Sequence, residues 1–364
     1  MIKIIIMHRT IVRYDAISND IEGMYNILKL NNYCKCFAEN KLNSSLEYLD
    51  DAEALNIMSD EESIVIYHHS VEWISGEELI KKCNGKLIIR YHNITPSEYF
   101  KSYNSDYFNQ CYAGRKQTER LIWSFPDAIW MVDSAYNALD INDVPDELIY
   151  VCPPFHKIEE LSAEVPDETV MNQLICSNEV NILFVGRVAP NKGHLDLIEI
   201  INGFCNTINR NIKLWIIGKF DKGLSNYNKI ITDRISQYGL EKNVNFIGEI
   251  NDSLLLTYYL GADIFLCTSE HEGFCVPIIE AQNFKLPIIA KGSSAIPETI
   301  GKNQIILGNV IDEYIAAIYL LANKKDYREY LREEGSNNFN EHFSYEIIRD
   351  KFISIMNREV GVFE

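Results

Sequence analysis

The amino-acid sequence predicts an α/β protein built from two doubly wound, parallel-sheet halves. Short apolar runs rich in β-branched residues alternate with helical patterns along the whole chain, which is typical of parallel strands joined by helical crossovers. The alternation is interrupted once, at Cys152-Pro-Pro154 and the acidic stretch 157–178, as expected at a domain connection. The length of 364 residues also suits two domains of ordinary size.

The first domain is predicted over residues 1–158. Its first strand is apolar apart from Lys3, which indicates burial on both faces of a sheet. The helix that follows is expected to begin at an N-cap, either Ser18 or Asn19. The predicted strands cover 2–7, 63–67, 86–90, 127–132 and 147–151, and the predicted helices cover 18–30 and 76–83.

The second domain is predicted over residues 181–340, after a linker at 159–180. Residues 341–364 are expected to form a C-terminal helix that packs back on the first domain. Because open α/β sheets bind ligands at the carboxyl ends of their strands, two such domains predict a ligand-binding cleft. The predicted strands cover 181–185, 213–217, 243–247, 263–267 and 286–290, and the predicted helices cover 326–334 and 345–358.

The charge balance excludes one class of partner. The formal net charge is −18, with 14 basic and 23 acidic residues in the first 150 positions and 20 and 29 in the remainder. Because the acidity is spread evenly and no cationic patch stands out, non-specific binding of nucleic acid is not expected. An anionic ligand would be held by a few local basic side chains and by backbone amides.

The cysteines and the N-terminus both indicate a cytoplasmic protein. The nine cysteines are odd in number and include no pair with the C-x-x-C spacing of zinc or redox sites, which predicts reduced thiols. The N-terminus lacks the long apolar core of a signal peptide, and no run of 18 apolar residues occurs in the sequence. A soluble, cytoplasmic protein is therefore expected.

A first chemical motif follows the predicted strand 181–185. Gly186 permits a sharp turn, and Arg187 and Lys192 are expected to project from the carboxyl end of the strand, just before a helix begins near His194. Two cations beside a helix N-terminus suit a diphosphate group. Taken alone, the same residues also fit an ordinary solvated loop.

A second motif, Ser269-Glu-His-Glu-Gly-Phe-Cys-Val-Pro-Ile-Ile-Glu280, follows another predicted strand. Glu272 and Glu280 are eight residues apart, Gly273 permits close approach of the backbone, and Pro277 suits the first turn of a helix. A carboxylate at Glu280 can accept two vicinal ribose hydroxyls. The alternative is that these acids simply complement the helix dipole. The amides expected at the helix N-terminus are those of Phe274, Cys275 and Val276.

Together the two motifs resemble those of the retaining glycosyltransferases of family 4, which have the GT-B fold of two facing Rossmann-like domains. The resemblance covers most of the chain and is strongest over residues 181–301. The Gly-Arg…Lys-Gly turn of the family corresponds to 186–193, and its Glu-x7-Glu motif corresponds to Glu272 and Glu280. Cys275 stands where glycine is common in the family, which narrows the approach of the backbone to a ligand.

The resemblance implies a role for each matched residue. Arg187 and Lys192 would neutralise the diphosphate of a nucleotide-sugar donor, including the charge that develops as it leaves. Glu272 would hold hydroxyls of the transferred sugar, and Glu280 would hold the ribose. The loop 245–250 would line the base, and Thr268 and Ser269 would lie near the phosphates. The donor-binding positions are then Gly186, Ile250, Ser269, Gly273, Phe274, Cys275, Val276 and Glu280.

In the N-terminal half, the resemblance implies that His92 faces the reacting sugar. With Arg187, Lys192 and Glu272, it completes the expected catalytic set. The alternative is a structural, hydrogen-bonded histidine, and this alternative is favoured for two others, at the end of the strand 63–67. These two are His68 and His69.

The loop after the first strand departs from the family. Many relatives have a glycine pair there, which approaches the donor phosphate, whereas this chain has Arg9-Thr-Ile-Val-Arg-Tyr-Asp-Ala16. The departure suggests a role in recognition of the acceptor. The acceptor-side candidates are Arg9, Arg13 and Asp15, followed by Tyr14 and the stretch 112–115.

The family implies transfer of a hexose with retention at the anomeric carbon, by front-face attack in which the leaving phosphate takes the acceptor proton. The expected donor is a UDP- or GDP-sugar, and the expected acceptor is a saccharide or lipid-linked saccharide of a surface polysaccharide, with the enzyme peripheral at the cytoplasmic membrane face. Because the sequence has no Asp-x-Asp motif, no metal and no other cofactor are expected.

Three other functions compete with this prediction. A sugar-nucleotide epimerase of the same fold needs acids placed for elimination, which the Glu-x7-Glu pattern fits less well. A nucleotide-sugar-binding scaffold without turnover is a second alternative, although all four charged motif residues are present. A dehydrogenase is not supported, because no G-x-G-x-x-G follows any predicted strand.

Overall fold

The computed structural model describes residues 2–13 and 15–363, whose contacts group into two compact units. Each unit contains a six-stranded parallel sheet, so the predicted fold class of two doubly wound domains is confirmed. Unit 1 takes its residues from 1–97, 106–157 and 344–364, and unit 2 takes its residues from 98–105 and 158–343.

The strands of unit 1 are β1 (Lys3–Met7), β2 (Thr10–Val12), β3 (Tyr33–Phe37), β4 (Asn40–Leu42), β5 (Ile64–His69), β6 (Lys86–Tyr91), β7 (Ile129–Val132) and β8 (Ile149–Val151). The large sheet has the order β3-β1-β5-β6-β7-β8, and β2 pairs with β4 in a small parallel sheet. As predicted, β1 is buried except at Lys3, because a parallel strand is covered on both faces. The strands β2, β3 and β4 were not predicted, because β2 and β4 have only three residues each and Lys35 interrupts the apolar run of β3.

The helices that follow in unit 1 are α1 (Ala16–Leu28), α2 (Asp51–Met58), α3 (Ile74–Ile80), α4 (Ser105–Ser124) and α5 (Ala135–Ala138). The predicted N-cap of α1 is wrong, since Asp15 rather than Ser18 or Asn19 caps the helix. The Asp15 carboxylate accepts hydrogen bonds from the backbone amide and the hydroxyl of Ser18, at 3.2 and 3.3 Å. A short acid at this position satisfies an amide that the helix leaves unpaired.

The strands of unit 2 are β9 (Val180–Val185), β10 (Ile212–Ile217), β11 (Val244–Gly248), β12 (Ile264–Cys267), β13 (Ile288–Lys291) and β14 (Ile305–Leu307). The sheet is parallel throughout and has the order β11-β10-β9-β12-β13-β14. This is the strand order of a dinucleotide-binding fold, and it reverses direction between β9 and β12. All these strands except the three-residue β14 were predicted.

The helices of unit 2 are α6 (Ile158–Ser162), α7 (Glu168–Ile175), α8 (His194–Thr207), α9 (Ser225–Tyr238), α10 (Asp252–Gly261), α11 (Val276–Asn283), α12 (Ile296–Ile300), α13 (Ile311–Asn323) and α14 (Lys325–His342). The stretch 159–180, predicted to be a linker, is largely helical. Leu161 and Leu174 are buried in the core of unit 2, because the apolar residues of this acidic stretch lie on one side of their helices.

The last helix, α15 (Tyr345–Val360), belongs to unit 1. Its buried residues include Phe352, whose ring meets that of Phe155 edge to face with centroids 5.6 Å apart. Among the helices of the described residues, none is both long and apolar enough to cross a membrane.

Candidate functional site

Both sequence motifs lie where the sheet of unit 2 reverses its strand order. The first motif follows β9 and the second follows β12, and these strands are neighbours, with Ile182 opposite Ile264 and Leu183 opposite Phe265. In open α/β sheets the loops diverge at such a switch point and leave a crevice at the carboxyl ends of the strands. Parallel pairing therefore brings together two motifs that are about 80 residues apart in sequence.

Gly193 allows the two motifs to touch. It caps α8 with φ 69°, and a Cβ atom there would lie 2.0 Å from the carbonyl oxygen of Thr268. The Thr268 hydroxyl donates a hydrogen bond to the Gly193 carbonyl at 2.9 Å. Only glycine combines this left-handed conformation with so close an approach, so the family's Lys-Gly pair is explained by packing here.

Lys192 and Glu272 form the centre of the site. The Lys192 Nζ lies 2.7 Å from both carboxylate oxygens of Glu272, and the two side chains are 24% and 9% exposed. Burial by itself would lower the pKa of Lys192, but the Glu272 carboxylate raises it above its ordinary value. The ammonium therefore stays charged, and two residues predicted as catalytic are in direct contact.

Arg187 takes a different partner. Its Nη1 lies 3.3 Å from Oδ2 of Asp221, in the turn after β10, and its side chain is 50% exposed. The guanidinium is half in solvent, whereas the Asp221 carboxylate is 14% exposed, so the exposed side of the guanidinium can bind a phosphate. Asp221 was not predicted, because nothing in the local sequence of its turn indicates a ligand.

The turn that carries Glu272 is held by neighbours that the sequence analysis missed. The amides of Glu270 and His271 donate hydrogen bonds to the carbonyl of Asn191, at 2.8 and 3.2 Å, and the Glu272 amide donates to the Ser294 hydroxyl at 2.7 Å. Ser294 follows β13, so its position depends on the tertiary structure. These bonds attach the Glu272 backbone to two other loops of the same sheet edge.

Ser269 and Phe274 have structural roles in this turn. The Ser269 side chain is 1% exposed, and its carbonyl accepts a hydrogen bond of 2.5 Å from the Ser293 hydroxyl. The Phe274 ring packs edge to face against Phe343, with centroids 5.4 Å apart. Any contact of Phe274 with a ligand is therefore left to its backbone.

Cys275 and Val276 mark the start of α11. Cys275 is the N-cap and has φ 79°, a left-handed conformation that favours glycine. Val276 is the first helical residue, at the end where an α-helix leaves its amides without intrahelical partners. The geometry at position 275 therefore suits a glycine better than a residue with a side chain.

Glu280 lies one turn into α11 and is held by a residue that the sequence analysis did not select. The Tyr259 hydroxyl donates a hydrogen bond to Oε2 of Glu280 at 2.5 Å. Burial raises the pKa of Glu280 to about 7, against the opposing effect of this hydrogen bond. Ile250, predicted near the base, follows β11 and packs against the same apolar cluster as Tyr259.

In unit 1, His92 belongs to a buried polar network. Its Nδ1 lies 3.1 Å from Oδ2 of Asp133, and its Nε2 lies 2.8 Å from Nδ1 of His68. Arg90 bridges Oδ1 of Asp133, at 2.7 Å, and Oδ2 of Asp20, at 2.8 Å. We call these five residues the His92 network. Both ring nitrogens of His92 are occupied, so contact with a sugar requires one of these hydrogen bonds to open.

Three members of the His92 network offer atoms that a metal could bind. Ligand atoms of Asp20, His68 and His92 lie within 4.8 Å of one another. The two imidazole centroids are 5.0 Å apart, nearly the largest separation that a 2.8 Å nitrogen–nitrogen contact permits. The nitrogens therefore point at each other, as in an N–H···N hydrogen bond, and Arg90 already holds the Asp20 oxygen. A hydrogen-bonded network fits this geometry better than a metal site.

The other histidines of unit 1 fit their structural alternative. His68 and His69 lie inside β5 rather than after it, and they are 1% and 0% exposed. His69 Nε2 lies 2.9 Å from the Thr118 hydroxyl. Burial holds the pKa of His68 well below its ordinary value and lowers that of His69 to about 3, so both rings are neutral near neutral pH.

The acceptor-side candidates are distributed over unit 1. Arg9 donates to the Glu72 carbonyl at 3.2 Å, Asp15 caps α1, and Arg13 is exposed. Arg115 forms a bidentate pair with Asp140, at 2.8 and 3.0 Å, whereas Tyr112 is 52% exposed. The candidate Tyr14 lies outside the described residues. Asp15 is thus committed to its helix.

The second unit matches a known family. Residues 168–338 match the family model described as "Glycosyl transferases group 1". Among curated proteins, the chain is 31% identical over 134 residues to the capsular polysaccharide biosynthesis glycosyltransferase CapH of Staphylococcus aureus, covering 37% of this chain and 36% of that protein. It is 27% identical over 195 residues to CapM of the same organism, covering 52% and 49%. The chain thus spans between a third and a half of the curated relatives it matches.

Solved structures match the fold over nearly the whole chain. The structure of Anabaena Alr3699/HepE in complex with UDP and glucose has a TM-score of 0.77 at 13% identity, covering 98% of this chain and 100% of that one. The structure of WaaG, a glycosyltransferase involved in lipopolysaccharide biosynthesis, has a TM-score of 0.69 at 12% identity and covers 95% and 98%. These likenesses confirm the GT-B fold class.

Proposed function

We propose that this chain, which carries a glycosyl transferases group 1 domain at residues 168–338, is a retaining glycosyltransferase. It moves a hexose from a UDP- or GDP-linked sugar to a saccharide or lipid-linked saccharide during synthesis of a surface polysaccharide. The reaction uses no metal and no other cofactor. The protein works in the cytoplasm, with peripheral attachment to the inner face of the membrane.

The observation that carries the proposal is the contact between Lys192 and Glu272. A charged ammonium lies 2.7 Å from a carboxylate that is 9% exposed, at the switch point of a dinucleotide-binding sheet. A lysine and a glutamate in this arrangement can bind the diphosphate and the sugar of one nucleotide sugar. The ammonium attracts phosphate oxygens, and the carboxylate accepts hydrogen bonds from sugar hydroxyls.

The reaction follows from how charge develops on the donor. When the glycosidic C–O bond breaks, its electron pair stays on the β-phosphate oxygen, and this oxygen takes the proton of the acceptor hydroxyl that attacks from the same face. Lys192, Arg187 and the N-terminus of α11 stabilise the developing negative charge. Glu272 orients the sugar, Glu280 binds the ribose, and Ile250 lines the base. The role of His92 as a group that faces the sugar stays a prediction.

The relatives support the choice of pathway and donor. The curated proteins CapH and CapM are glycosyltransferases of capsular polysaccharide biosynthesis, and the Anabaena protein was solved with UDP and glucose. A saccharide acceptor and a nucleoside-diphosphate donor are therefore the chemistry proposed for this chain.

A binding titration with UDP, GDP and ADP tests the donor site. We expect one nucleotide to bind most tightly and Glu280→Ala to weaken it about 10- to 100-fold, because the carboxylate holds ribose hydroxyls through charged hydrogen bonds. The matched control is Glu333→Ala on the exposed face of α14, which should leave binding unchanged. Binding of none of the three nucleotides would overturn the proposal.

Product analysis then separates transfer from its alternatives. Incubation with the corresponding nucleotide sugar and a saccharide acceptor should release the free nucleoside diphosphate and form a new glycoside with retained configuration. An epimerase would leave the nucleotide attached to an altered sugar, and a scaffold would leave the donor intact. The turnover rate is expected to stay unchanged when a chelator such as EDTA is added. A loss of turnover with EDTA would contradict metal independence.

A further inference from the structure

A short segment from the N-terminal half of the chain belongs to unit 2. Residues 98–105 connect β6 to α4, both of unit 1, yet their contacts place them with the second unit. We call this segment the strap. It was not selected by the sequence analysis, because Glu-Tyr-Phe-Lys-Ser-Tyr-Asn-Ser has no motif and no periodic pattern.

Tyr99 attaches the strap to the turn that carries Glu272. The Tyr99 hydroxyl donates a hydrogen bond to the backbone carbonyl of Glu270 at 3.2 Å, and its ring lies 6.1 Å from that of His271, centroid to centroid. Glu270 and His271 immediately precede Glu272. The same two residues donate their amides to Asn191, which precedes Lys192. Tyr99 thus supports the backbone turn that carries Glu272.

Asn104, at the other end of the strap, contacts the turn that holds Arg187. Its side-chain amide donates a hydrogen bond to the Gly223 carbonyl at 2.6 Å. Gly223 in turn donates its own amide to Oδ1 of Asp221 at 2.9 Å, and Oδ2 of the same carboxylate pairs with Arg187. The chain of bonds runs from the strap through one turn to the predicted phosphate ligand.

Packing alone does not account for these two contacts. Phe100 is 2% exposed, and the Tyr103 ring meets that of Tyr227 in unit 2 edge to face, with centroids 5.0 Å apart. These contacts would hold the segment without the hydroxyl of Tyr99 or the amide of Asn104. The two polar groups reach the two separate turns that position the predicted sugar and phosphate ligands.

We infer that the strap is a positioning element of the donor site, in which Tyr99 acts through Glu272 on the sugar and Asn104 acts through Arg187 on the diphosphate. The inference rests on the proposed function and deepens it. It divides the recognition of one donor between the two ends of an eight-residue segment.

The test compares three ligands on each variant: the nucleotide sugar, the nucleoside diphosphate and the nucleoside monophosphate. The probes are UDP-glucose, UDP and UMP, or GDP-mannose, GDP and GMP, according to which nucleotide the wild type binds. Tyr99→Phe should weaken binding of the nucleotide sugar about three- to tenfold and leave the diphosphate unchanged, because one neutral hydrogen bond behind the sugar ligand is lost. Asn104→Ala should weaken binding of the nucleotide sugar and of the diphosphate by a similar factor. Binding of the monophosphate should stay unchanged.

Tyr103→Phe is the matched control, because it removes a hydroxyl from the same strap with no change in its ring contact. It should leave all three affinities at the wild-type values. Wild-type affinities in both test variants, or equal losses in the control, would overturn the inference. Loss of monophosphate binding in either test variant would also overturn it, since that indicates general unpacking. Failure of the wild type to bind any nucleotide would reject the proposed function itself.

Discussion

At the end of β6 in unit 1, the residues of the His92 network pair with one another, and each side chain is at most 6% exposed. At the switch point of unit 2, the Lys192 side chain is 24% exposed and pairs with Glu272, and the Arg187 side chain is 50% exposed and pairs with Asp221. The His92 network is buried and paired internally, so removal of one member would leave buried charges without a partner. The second arrangement leaves cations within reach of a ligand. Charged residues at a sheet edge therefore indicate a ligand site only when the cations themselves stay partly exposed.

The largest effect is expected from opening the closed network. Arg90→Met leaves the carboxylates of Asp20 and Asp133 buried without their cation, so the free energy of unfolding should fall by about 3 to 5 kcal/mol. Urea denaturation measures the change. The control Lys116→Met breaks an exposed ion pair with Glu119 and should cost less than about 1 kcal/mol. Equal losses of unfolding free energy in the two variants would contradict the difference between a buried network and an exposed ion pair.

The Lys192–Glu272 pair should matter for turnover. Lys192→Ala is expected to lower kcat about 10²- to 10³-fold, because it removes a cation from the charge that develops on the leaving phosphate. Steady-state release of the nucleoside diphosphate measures this, with exposed Lys229→Ala on α9 as the control. A Lys192→Ala enzyme with wild-type kcat would show that the pair belongs to the packing of unit 2.

The raised pKa of Glu280 predicts that nucleotide binding strengthens as the pH rises. Burial favours the protonated acid, whereas ribose hydroxyls donate to the carboxylate, so affinity should increase between about pH 6 and pH 8 through the pKa of about 7. Calorimetric titrations across this range measure the change. Glu280→Gln should bind more weakly and show no such dependence, and a pH-independent wild type would argue against Glu280 as the ribose ligand.

The raised pKa of Glu280 also predicts that the stability of the fold decreases as the pH rises, whereas nucleotide affinity increases. Because the folded-state pKa is raised, the unfolded chain loses the Glu280 proton first as the pH rises above about 4.5, and stability then falls until about pH 7. Glu280→Gln should therefore be more stable than the wild type at pH 8, by about 1 to 3 kcal/mol, and closer to it at pH 5. Thermal unfolding at both pH values measures the difference, and a variant that is less stable at pH 8 would contradict it.

The smallest effect is expected at Cys275, whose φ of 79° strains a residue with a side chain. Cys275→Gly should raise the free energy of unfolding by up to about 1 kcal/mol and change nucleotide affinity by no more than about threefold. The control is Lys285→Gly at φ 56°, an exposed position outside both sequence motifs, which should relieve the backbone similarly without any change in affinity. Destabilisation by Cys275→Gly would show that the buried thiol contributes more to packing than its conformation costs.

Much of the fold could be predicted, because parallel strands covered on both faces are continuous apolar runs that stand out in sequence. The runs at 181–185 and 263–267 correspond to β9 and β12 within one residue. Three-residue strands such as β14 carry too few residues to show a pattern. The helices α6 and α7 within 159–180 were not predicted, because acidic residues on their exposed sides outnumber the buried leucines.

The candidate site was predictable to the extent that its chemistry is local. Glycines, cations and acids of the two motifs follow strands in the sequence, so their arrival at one sheet edge was expected. Their partners were not predictable, since Asp221, Tyr259 and Ser294 lie in segments without any motif. The burial of His92 was not predictable either, because it depends on Asp20 of α1, His68 of β5 and Asp133 directly after β7.

The sequence by itself determined the two parallel sheets and the position of both donor motifs at strand ends, because burial on two faces and sharp turns each demand particular residues in consecutive positions. Only the tertiary structure decided which charges remain accessible. Lys192 stays partly open, whereas His92 and Arg90 are buried in a network, and the strap reaches the turn that carries Glu272 from a distant part of the chain. Accessibility and pairing depend on neighbours brought together by folding, and no local pattern encodes them.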